Sequence, residues 1–408
     1  MIEIFSINKT IYGSVDLESS KSISNRLLII KELCKSKFEI QNLSNANDTK
    51  ILNEILNGFE TKKDINCEDA GTALRFLIAF LATNEGDWVV SGSKRMQERP
   101  IKPLIDCLIK LGASINYLEK EGFPPIEIKN KKLSSGKIRL PGNVSSQFIS
   151  ALLMVAPTIE NGLTLEINSK VLSKPYINMT LDLMKEFGIE YSWENNLIKV
   201  EQQNYSAKNI EVENDWSSAS FWYSFLALSK SGEIKIPNLY ANSLQGDSVL
   251  SNIYSKLGIK TEFNEDSIVL YKTKNIAKEI ELDLSNHPDL ALPIIVTCCG
   301  LGIKAFLMGL ESLKIKESNR LECIKKELEK FNVISSISSS SIEIKENQKI
   351  VQPTSIIESH NDHRIAMSIA PLSMKVNSIK FDDKDVVNKS YPKFWEDFDR
   401  VSKNNNYS

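Results

Sequence analysis

Clusters of cations and small hydroxyl residues recur along this chain immediately before apolar segments. The first cluster is SKSISNR at 20–26, and the apolar residues 27–30 follow it at once. Serine at a helix start accepts hydrogen bonds from free backbone N–H groups, and the positive end of the helix dipole favours anions. Lys21 adds a point charge, and Arg26 adds a planar guanidinium suited to a carboxylate. The stretch is typical of an anion site, although alone it would also suit a capped and solvated helix start.

Further segments repeat this placement of polar and cationic residues ahead of an apolar run. Gly71 in one of them would let a ligand approach the backbone. In another, Lys316 and Arg320 would repel each other on one helix face unless an anion or Glu317 compensates. Each segment alone also fits a charged surface, but their shared position predicts helix ends that converge on one polyanionic ligand. The segments are EDAGTALRF (68–76), KRMQERPI (94–101), GNVSSQF (142–148), LSKPY (172–176), KIKESNR (314–320), HNDHRIAM (360–367) and NKSYPKFW (388–395).

The composition narrows the class of protein. The chain has 408 residues, 42% of them hydrophobic and 25% charged, which is ordinary for a globular protein of two or three domains. A net charge of -2 provides no broad attraction to nucleic acid or to an acidic membrane surface. The six cysteines form no CxxC pair, and three histidines do not suggest a zinc site. With no apolar run of 18 residues and no signal-peptide pattern, we expect a reduced cytoplasmic protein that uses no metal and no cofactor.

Two nucleotide-binding patterns were considered as alternatives. GLGIKA at 300–305 matches the loose GxGxxA turn of dinucleotide-binding folds. A strand-like run follows it where a helix should begin, and no acidic residue stands in the expected context. The GxxxxGK[ST] pattern of a phosphate-binding loop is absent from the sequence. The sequence therefore favours neither dinucleotide chemistry nor ATP chemistry.

The elements that must position these clusters form a repeat. Four segments have an amphipathic helix pattern, then a residue able to take the left-handed conformation, then a strand-like run. The helix stops are Gly112, Gly188, Gly258 and Asn332, separated by 76, 70 and 74 residues. Weaker copies at 51–59 and 394–401 would raise the count to six. The pattern predicts α/β structure built from a repeated unit, although any α/β protein shows some succession of this kind.

Taken in order, the polar segments resemble the EPSP synthase (3-phosphoshikimate 1-carboxyvinyltransferase) family. The resemblance covers essentially the whole chain. It implies transfer of the enolpyruvyl group of phosphoenolpyruvate to the 5-hydroxyl of shikimate 3-phosphate with release of phosphate, a step towards chorismate and the aromatic amino acids. The matching segments are SKSISNR, DAGTALR, RMQERPI, GNVSSQF, SKPY, NDWSSAS, HPD, KIKESNR, HNDHR and NKSYPKFW.

The same resemblance implies an architecture. It predicts an α/β fold of two similar globular domains, each of three βαβαββ units in an inside-out, barrel-like arrangement, with the active site in the interdomain cleft. Crossovers near 14–18 and near 213 would leave 16–213 as the shikimate 3-phosphate domain. Residues 1–15 and 214–408 would form the second domain, with most phosphoenolpyruvate contacts and the proton-transfer residues. The expected partners are the two small substrates, with no nucleic acid, no membrane and a monomeric chain.

Site residues follow from the matching segments. The resemblance implies that Asp289 is the base for the 5-hydroxyl, that Glu317 transfers the proton at the methylene carbon, and that Lys21 is a third catalytic group. Lys389 would balance charge beside them. Which group moves each proton is left open. The residues implied for shikimate 3-phosphate are Lys21, Ser22, Arg26, Ser145, Ser146, Gln147, Ser173, Tyr176, Asp289, Lys316 and, as the weakest match, Ser312. Those implied for phosphoenolpyruvate are Lys21, Gly71, Arg99, Gln147, Arg320, Arg364 and Lys389.

The chain departs from the family pattern at several positions. Glu18 and Ser19 replace the usual Pro-Gly before the first segment, and Asp69 stands where many members have Asn. The NHPD stretch lacks a residue that some members have between His and Pro, so the loop around Asp289 is uncertain. None of these changes removes a reactive group. Gly71 leaves room for the herbicide glyphosate, so we expect sensitivity to it.

Two other functions remain to be weighed. The related enzyme that transfers enolpyruvyl to UDP-N-acetylglucosamine shares the donor but uses a cysteine in a mobile loop. Cys107 lies in an apolar helix stripe instead, where core packing is the expectation, and Ser22 and Arg26 suit a carboxylate. A non-catalytic anion-binding paralogue would be free to lose Asp289, Glu317 or Lys389. All three remain, which favours the enzyme.

Overall fold

The computed structural model describes residues 1–6, 8–346 and 349–403. The chain divides into two compact units. The first unit is 19–212, and the second unit combines 1–18 with 213–408. Residues 7, 347–348 and 404–408, all in the predicted second domain, lie outside the described residues.

Strands and helices alternate through both units. The strands are Ile2–Ile4 (β1), Thr10–Ser14 (β2), Ile40–Gln41 (β3), Asp64–Asn66 (β4), Trp88–Ser91 (β5), Ser114–Tyr117 (β6), Ile126–Lys129 (β7), Gly136–Leu140 (β8), Leu163–Ile167 (β9), Tyr191–Glu194 (β10), Leu197–Val200 (β11), Ile210–Glu211 (β12), Ser231–Pro237 (β13), Leu257–Phe263 (β14), Ser267–Ile276 (β15), Glu279–Asp283 (β16), Lys304–Met308 (β17), Ser335–Ile337 (β18), Ser341–Ile344 (β19) and Ile379–Phe381 (β20). The α-helices are Lys21–Leu33 (α1), Asn47–Leu56 (α2), Gly71–Leu81 (α3), Lys94–Gln97 (α4), Lys102–Lys110 (α5), Ser146–Val155 (α6), Lys174–Glu186 (α7), Trp216–Leu228 (α8), Leu250–Ser255 (α9), Ala291–Leu301 (α10), Arg320–Glu329 (α11), His363–Ile369 (α12) and Phe394–Lys403 (α13).

Four sheets share one topology. Their strand orders are β4-β5-β7-β6 and β10-β11-β9-β8 in the first unit, and β14-β15-β13-β2 and β16-β17-β19-β18 in the second. Each has one parallel pair and closes with an antiparallel hairpin. A helix joins the parallel strands in three of the sheets, whereas the whole first unit and α8 lie between β2 and β13. This is the predicted βαβαββ order, and it confirms the α/β class. Each unit adds a two-stranded sheet, β3 with β12 and β1 with β20. The N-terminal strands β1 and β2 thus pair within the second unit.

The predicted helix stops are confirmed. Helices α5, α7, α9 and α11 are followed by Gly112, Gly188, Gly258 and Asn332, whose φ angles are 103°, 82°, 86° and 64°. Glycine and asparagine tolerate this left-handed backbone better than other residues do. One boundary differs from the sequence prediction. Strand β14 already begins at Leu257, before the predicted stop Gly258, and its pairing with β15 shifts register between Leu257 and Ile259. The weaker copies at 51–59 and 394–401 fall on α2 and α13.

A second set of helices is buried on nearly every side. All residues of α8 and α12 are buried, and α3, α6 and α10 expose almost none of their residues. Their sequences are apolar all round, unlike the amphipathic helices that end each repeat. The polar segments leading into these buried helices are therefore fixed by a packed core, which is the support that a precise site needs. None of the helices within the described residues is long and apolar enough to cross a membrane.

Candidate active site

The helices of the first unit bring their N-terminal ends together. Arg26 on α1 donates from Nη2 to the carbonyl oxygen of Tyr176, in the first turn of α7, over 3.1 Å. Gln147 at the start of α6 donates from Nε2 to Oγ1 of Thr72 at the start of α3, over 2.9 Å. Lys21 Nζ lies 3.2 Å from Oδ2 of Asp48, in the first turn of α2. Converging helix N-termini present free N–H groups and positive dipole ends, which favour an anion.

Arg26 is held more tightly than the sequence suggested. Its side chain is buried, and burial lowers the pKa of Arg26 to about 10. The guanidinium donates to Thr180 Oγ1, to the carbonyl oxygen of Ser22 and to Ser150 Oγ, in addition to the carbonyl of Tyr176. Four of its five N–H groups are used in this way. Arg26 therefore fixes α1, α6 and α7 relative to one another, and at most one N–H remains for a ligand.

Gly71 and Arg99 form the part of the first unit with an unsatisfied cation. A Cβ on Gly71 would lie 2.5 Å from Nη1 of Arg99 and 2.8 Å from Nη1 of Arg75, so only glycine lets these groups approach. Arg75 also donates to the carbonyl oxygen of Gly71 over 2.7 Å. Arg99 is only 7% exposed, and its Nε lacks a hydrogen-bond partner in the described part of the chain. A buried guanidinium with an unused N–H is suited to an incoming anion.

Three serine hydroxyls lie at the starts of two neighbouring helices. Ser145 caps α6, and its Oγ accepts from the backbone N–H of Gln147 over 3.3 Å. Ser146 is the first residue of that helix. Ser173 precedes α7 with φ 55°, a left-handed conformation unusual for serine. Its side chain caps no helix N–H group, so its hydroxyl is not committed to the role that serine usually has there.

Asp289 is the centre of the ionic cluster in the second unit. It lies in the 3₁₀ turn Pro288–Leu290, directly before α10. Its carboxylate is 3.2 Å from Arg364 Nη2, 3.3 Å from Arg320 Nη1 and 3.9 Å from Lys316 Nζ. Burial opposes ionisation, but the positive charges of Arg364, Lys316 and Arg320 outweigh it and hold the pKa of Asp289 well below its usual value. Asp289 is therefore a carboxylate in this structure.

The turn that carries Asp289 is itself anchored. His287 Nδ1 lies 3.5 Å from Oδ1 of the buried Asp247, and Ser217 Oγ donates to Oδ2 of Asp247 over 2.5 Å. These contacts join the turn to the starts of α8 and α9. The NHPD loop around Asp289 is thus fixed through the contact of His287 with the buried Asp247.

Arg320 pairs with all three carboxylates of the cluster, Asp289, Glu317 and Asp362. It is 2% exposed, and its Nε and Nη2 donate to the two carboxylate oxygens of Asp362 over 2.8 and 3.1 Å. Burial opposes the positive charge, but Asp362 and Glu317 more than offset this and raise the pKa of Arg320. Asp362 is fully buried and also accepts from Ser318 Oγ and from the backbone N–H of Arg364, at the start of α12. A bidentate pair of this kind fixes the plane of the guanidinium.

Glu317 joins Arg320 to Lys389. Its Oε2 accepts from Arg320 Nη2 over 2.8 Å, and its Oε1 lies 3.4 Å from Lys389 Nζ. The cluster holds one more cation than carboxylate, so it carries a net positive charge that attracts an anion. The cations are Lys316, Arg320, Arg364 and Lys389, and the carboxylates are Asp289, Glu317 and Asp362. Ser312 lies in the 3₁₀ segment Glu311–Ile315, and no described contact joins it to this cluster.

Each unit therefore collects a separate part of the predicted site. The first unit holds Lys21, Ser22, Arg26, Gly71, Arg99, Ser145, Ser146, Gln147, Ser173 and Tyr176, and the second holds Asp289, Ser312, Lys316, Glu317, Arg320, Arg364 and Lys389. Sequence reasoning missed Asp48 and Asp362 as partners of these cations. Both stand at the start of a helix, as acidic N-terminal residues often do, and this pattern could have identified them.

A metal site has one candidate within the described residues. Glu327, Glu358 and His360 place ligand atoms within 4.8 Å of one another. Lys330 Nζ already lies 2.6 Å from Glu327 Oε2, and Lys326 Nζ lies 2.9 Å from Glu358 Oε2. These ammonium groups neutralise the carboxylates, so the set is an ion-pair network and does not fit a divalent cation.

Cys107 has the position that the sequence predicted. It is buried on α5, its Sγ is 3.9 Å from the carbonyl oxygen of Arg139, and burial raises the pKa of its thiol to about 11. A buried thiol of raised pKa packs and does not react. This contradicts the use of Cys107 as the loop cysteine of the UDP-N-acetylglucosamine enzyme.

Comparison with known proteins places the chain in a family. Residues 57–398 match the family model for EPSP synthase (3-phosphoshikimate 1-carboxyvinyltransferase). The chain is 41% identical to the 3-phosphoshikimate 1-carboxyvinyltransferase of Bacteroides fragilis, over 97% of this chain and 96% of that one. It is 32% identical to the enzyme of the same name from Histophilus somni strain 2336, over 96% and 97%. A solved EPSP synthase from Acinetobacter baumannii has the same fold, with a TM-score of 0.79 and 19% identity over 98% of this chain and 97% of that one. The chain belongs to the EPSP synthase (3-phosphoshikimate 1-carboxyvinyltransferase) family.

Proposed function

We propose that this chain transfers the enolpyruvyl group of phosphoenolpyruvate to the 5-hydroxyl of shikimate 3-phosphate, giving 5-enolpyruvylshikimate 3-phosphate and phosphate. The observation that carries the proposal is the ionic cluster of the second unit. There Asp289 and Glu317, the two groups able to exchange protons, lie among four cations that exceed the carboxylates by one charge. A reaction that joins two anions and moves two protons needs both features.

Shikimate 3-phosphate would bind through the first unit. The hydroxyls of Ser145, Ser146 and Ser173 and the N-terminal N–H groups of α6 and α7 would bind its phosphate. Its carboxylate would meet Ser22 and the remaining N–H of Arg26, and Tyr176 would pack against the ring. Lys316 and Asp289 of the second unit would bind its hydroxyls, and Gln147 would lie beside both substrates.

Phosphoenolpyruvate would bind where the cations are concentrated. It carries about three negative charges at neutral pH, so it needs several cations to lie beside a second anion. Arg99, whose Nε is unsatisfied, would contribute from the first unit together with Lys21. Arg320, Arg364 and Lys389 would contribute from the second. Because Gly71 has no side chain, the guanidinium of Arg99 can lie against its backbone.

The pKa of Asp289 restricts how the first proton moves. A carboxylate held by three cations is a weak base, because accepting a proton would sacrifice those attractions. Phosphoenolpyruvate would draw Arg364 and Arg320 towards its own oxygens and so make Asp289 more basic. Asp289 then removes the proton of the 5-hydroxyl while that oxygen bonds to the central carbon of phosphoenolpyruvate, and a proton adds to the methylene carbon.

The second half of the reaction reverses the proton step at carbon. Glu317, which lies between Arg320 and Lys389, would supply the methylene proton from its protonated form, and the carboxylate so produced would then remove a proton from the methyl group. The carbon–oxygen bond to phosphate would break as the double bond returns. The phosphate would leave with the proton that Asp289 removed from the 5-hydroxyl, which restores the Asp289 carboxylate. Lys389 and Lys21 would balance the charge that develops on Glu317 and on the departing phosphate.

The test is phosphate release from phosphoenolpyruvate, measured with and without shikimate 3-phosphate. We expect release only when both substrates are present, and a loss of about 10²-fold or more in kcat for Asp289→Ala and for Glu317→Ala. Glu329→Gln is the control, because Glu329 is an exposed residue of α11 paired only with Lys325. Wild-type protein that binds shikimate 3-phosphate without releasing phosphate would refute the proposal and indicate a non-catalytic anion-binding protein.

A further inference from the structure

The segment before α12 has an unusual backbone. His360 and Asn361 both have φ 54°, so two consecutive non-glycine residues take the left-handed conformation. Such residues cost free energy, and they persist only where the surroundings hold them. Asp362 follows immediately and carries the carboxylate that binds Arg320. The direction in which Asp362 points therefore depends on this turn.

Glu327 is the group that holds the turn. It lies on α11 and is fully buried. Its Oε2 accepts from the backbone N–H of Glu358 over 3.0 Å, and its Oε1 is 2.9 Å from Nε2 of His360. Lys330, one turn along α11, places its ammonium 2.6 Å from Oε2 and compensates the buried charge. One carboxylate thus fixes both the backbone and the side chain at the start of the turn.

The 358–362 turn connects Glu327 to two cations of the site, Arg320 and Arg364, through Asp362. Asp362 binds Nε and Nη2 of Arg320, accepts from Ser318 Oγ, and caps α12 through the N–H of Arg364. A shift of the turn would therefore rotate the guanidinium of Arg320 and move Arg364, whose backbone N–H is bound by Asp362. The reactive carboxylates Asp289 and Glu317 both contact Arg320 and would lose their partner geometry as well.

We propose that Glu327 is a positioning residue for the phosphoenolpyruvate subsite, acting through His360 and Asp362 on Arg320. The inference rests on the proposed function, since it assigns Arg320 to that substrate. Glu327 does not touch the reacting groups; its contribution is the conformation of the 358–362 turn. Supporting groups of this kind commonly change activity nearly as much as the groups they support.

The test compares variants of Glu327 and His360 by steady-state kinetics. In Glu327→Ala and His360→Ala, we expect the KM for phosphoenolpyruvate to rise about tenfold or more, because a displaced guanidinium loses its aligned bonds. His360→Gln retains an N–H donor of similar reach and should restore most of the wild-type KM. Direct binding of shikimate 3-phosphate should stay within about twofold of wild type, because most of its proposed contacts are in the first unit. Glu329→Gln is again the control.

Results that would overturn the positioning role of Glu327 differ from results that would refute the proposed function. An unchanged KM for phosphoenolpyruvate in folded Glu327→Ala and His360→Ala would overturn the inference, as would an equal loss of shikimate 3-phosphate affinity, which indicates a general structural role. If Glu327→Ala does not fold, the inference is tested by comparing the KM for phosphoenolpyruvate of His360→Ala with that of His360→Gln. Wild-type protein without phosphate release would refute the proposed function instead. Calorimetric binding of phosphoenolpyruvate to the same variants would then decide the positioning of Arg320.

Discussion

Replacing Gly71 by alanine should damage the site while sparing the fold. The added Cβ would lie 2.5 Å from Nη1 of Arg99 and 2.8 Å from Nη1 of Arg75. Both atoms are the ends of flexible side chains, so the chain can fold by moving them. Gly71 is the first residue of α3 and its φ is not positive, so alanine adds no backbone strain there. We therefore expect the free energy of unfolding to stay within about 1 kcal/mol of wild type.

The expected kinetic effect follows from the distance. Comfortable contacts between heavy atoms lie near about 3.5 Å, so the guanidinium of Arg99 must retreat by about 1 Å. Its Nε has no hydrogen-bond partner in the described structure, so no bond at that atom opposes the movement. A misplacement of about 1 Å can cost up to about 10²-fold in rate, or about 2.7 kcal/mol. We expect the KM for phosphoenolpyruvate to rise between about tenfold and a hundredfold.

The assay is phosphate release with each substrate varied in turn. The KM for shikimate 3-phosphate should change much less than the KM for phosphoenolpyruvate. Gly136→Ala is the matched control, because its Cβ would meet only Leu111 Cδ2 at 3.4 Å, an ordinary contact. A wild-type KM for phosphoenolpyruvate in Gly71→Ala would refute the assignment of Arg99 to that substrate. Unfolding of the variant would refute the argument that the fold tolerates the change.

Four further predictions concern stability and inhibition. Asp362→Ala should lower the free energy of unfolding in urea by about 3 kcal/mol or more, because it leaves the buried Arg320 without its bidentate partner; a loss under about 1 kcal/mol would contradict this. Asn361→Gly should be nearly neutral in thermal unfolding, whereas Asn361→Val should cost about 1–2 kcal/mol, since φ is 54° there; equal melting temperatures would show that the turn is not held in that conformation. Burial opposes ionisation of Asp289, but Arg364, Lys316 and Arg320 hold its pKa below the usual 3.8. The unfolded chain therefore binds the proton first as pH falls, so this contribution to stability is present above about pH 4 and is lost below it; Asp289→Asn should flatten the acid limb of the stability curve, and an identical limb would disprove the ion-pair argument. Glyphosate should inhibit phosphate release by the wild-type chain, and substantial activity at saturating glyphosate would show that the space beside Gly71 does not admit it.

Local chemistry explains why much of the fold could be predicted. The stops at Gly112, Gly188, Gly258 and Asn332 depend on the backbone freedom of single residues, which a sequence displays directly. The burial of α8 follows from its apolar composition on all sides. The βαβαββ order therefore emerges from short-range signals. The boundary of β14 was less predictable, because strand pairing overrides the signal of Gly258.

The candidate site was predictable in residue types but not in pairing. The sequence by itself determined that cations, serines and Gly71 lie at helix starts, because caps and apolar periodicity are local properties. Only the tertiary structure decided that Arg26 is buried and that four of its N–H groups donate hydrogen bonds within the protein. The same holds for the pairing of Asp362 with Arg320, which are 42 residues apart in the sequence. The tertiary structure also places three cations around Asp289, and these cations lower its pKa and make it a weak base. Hydrogen bonding, burial and Coulomb attraction depend on distances in space, and separation along the chain does not specify those distances.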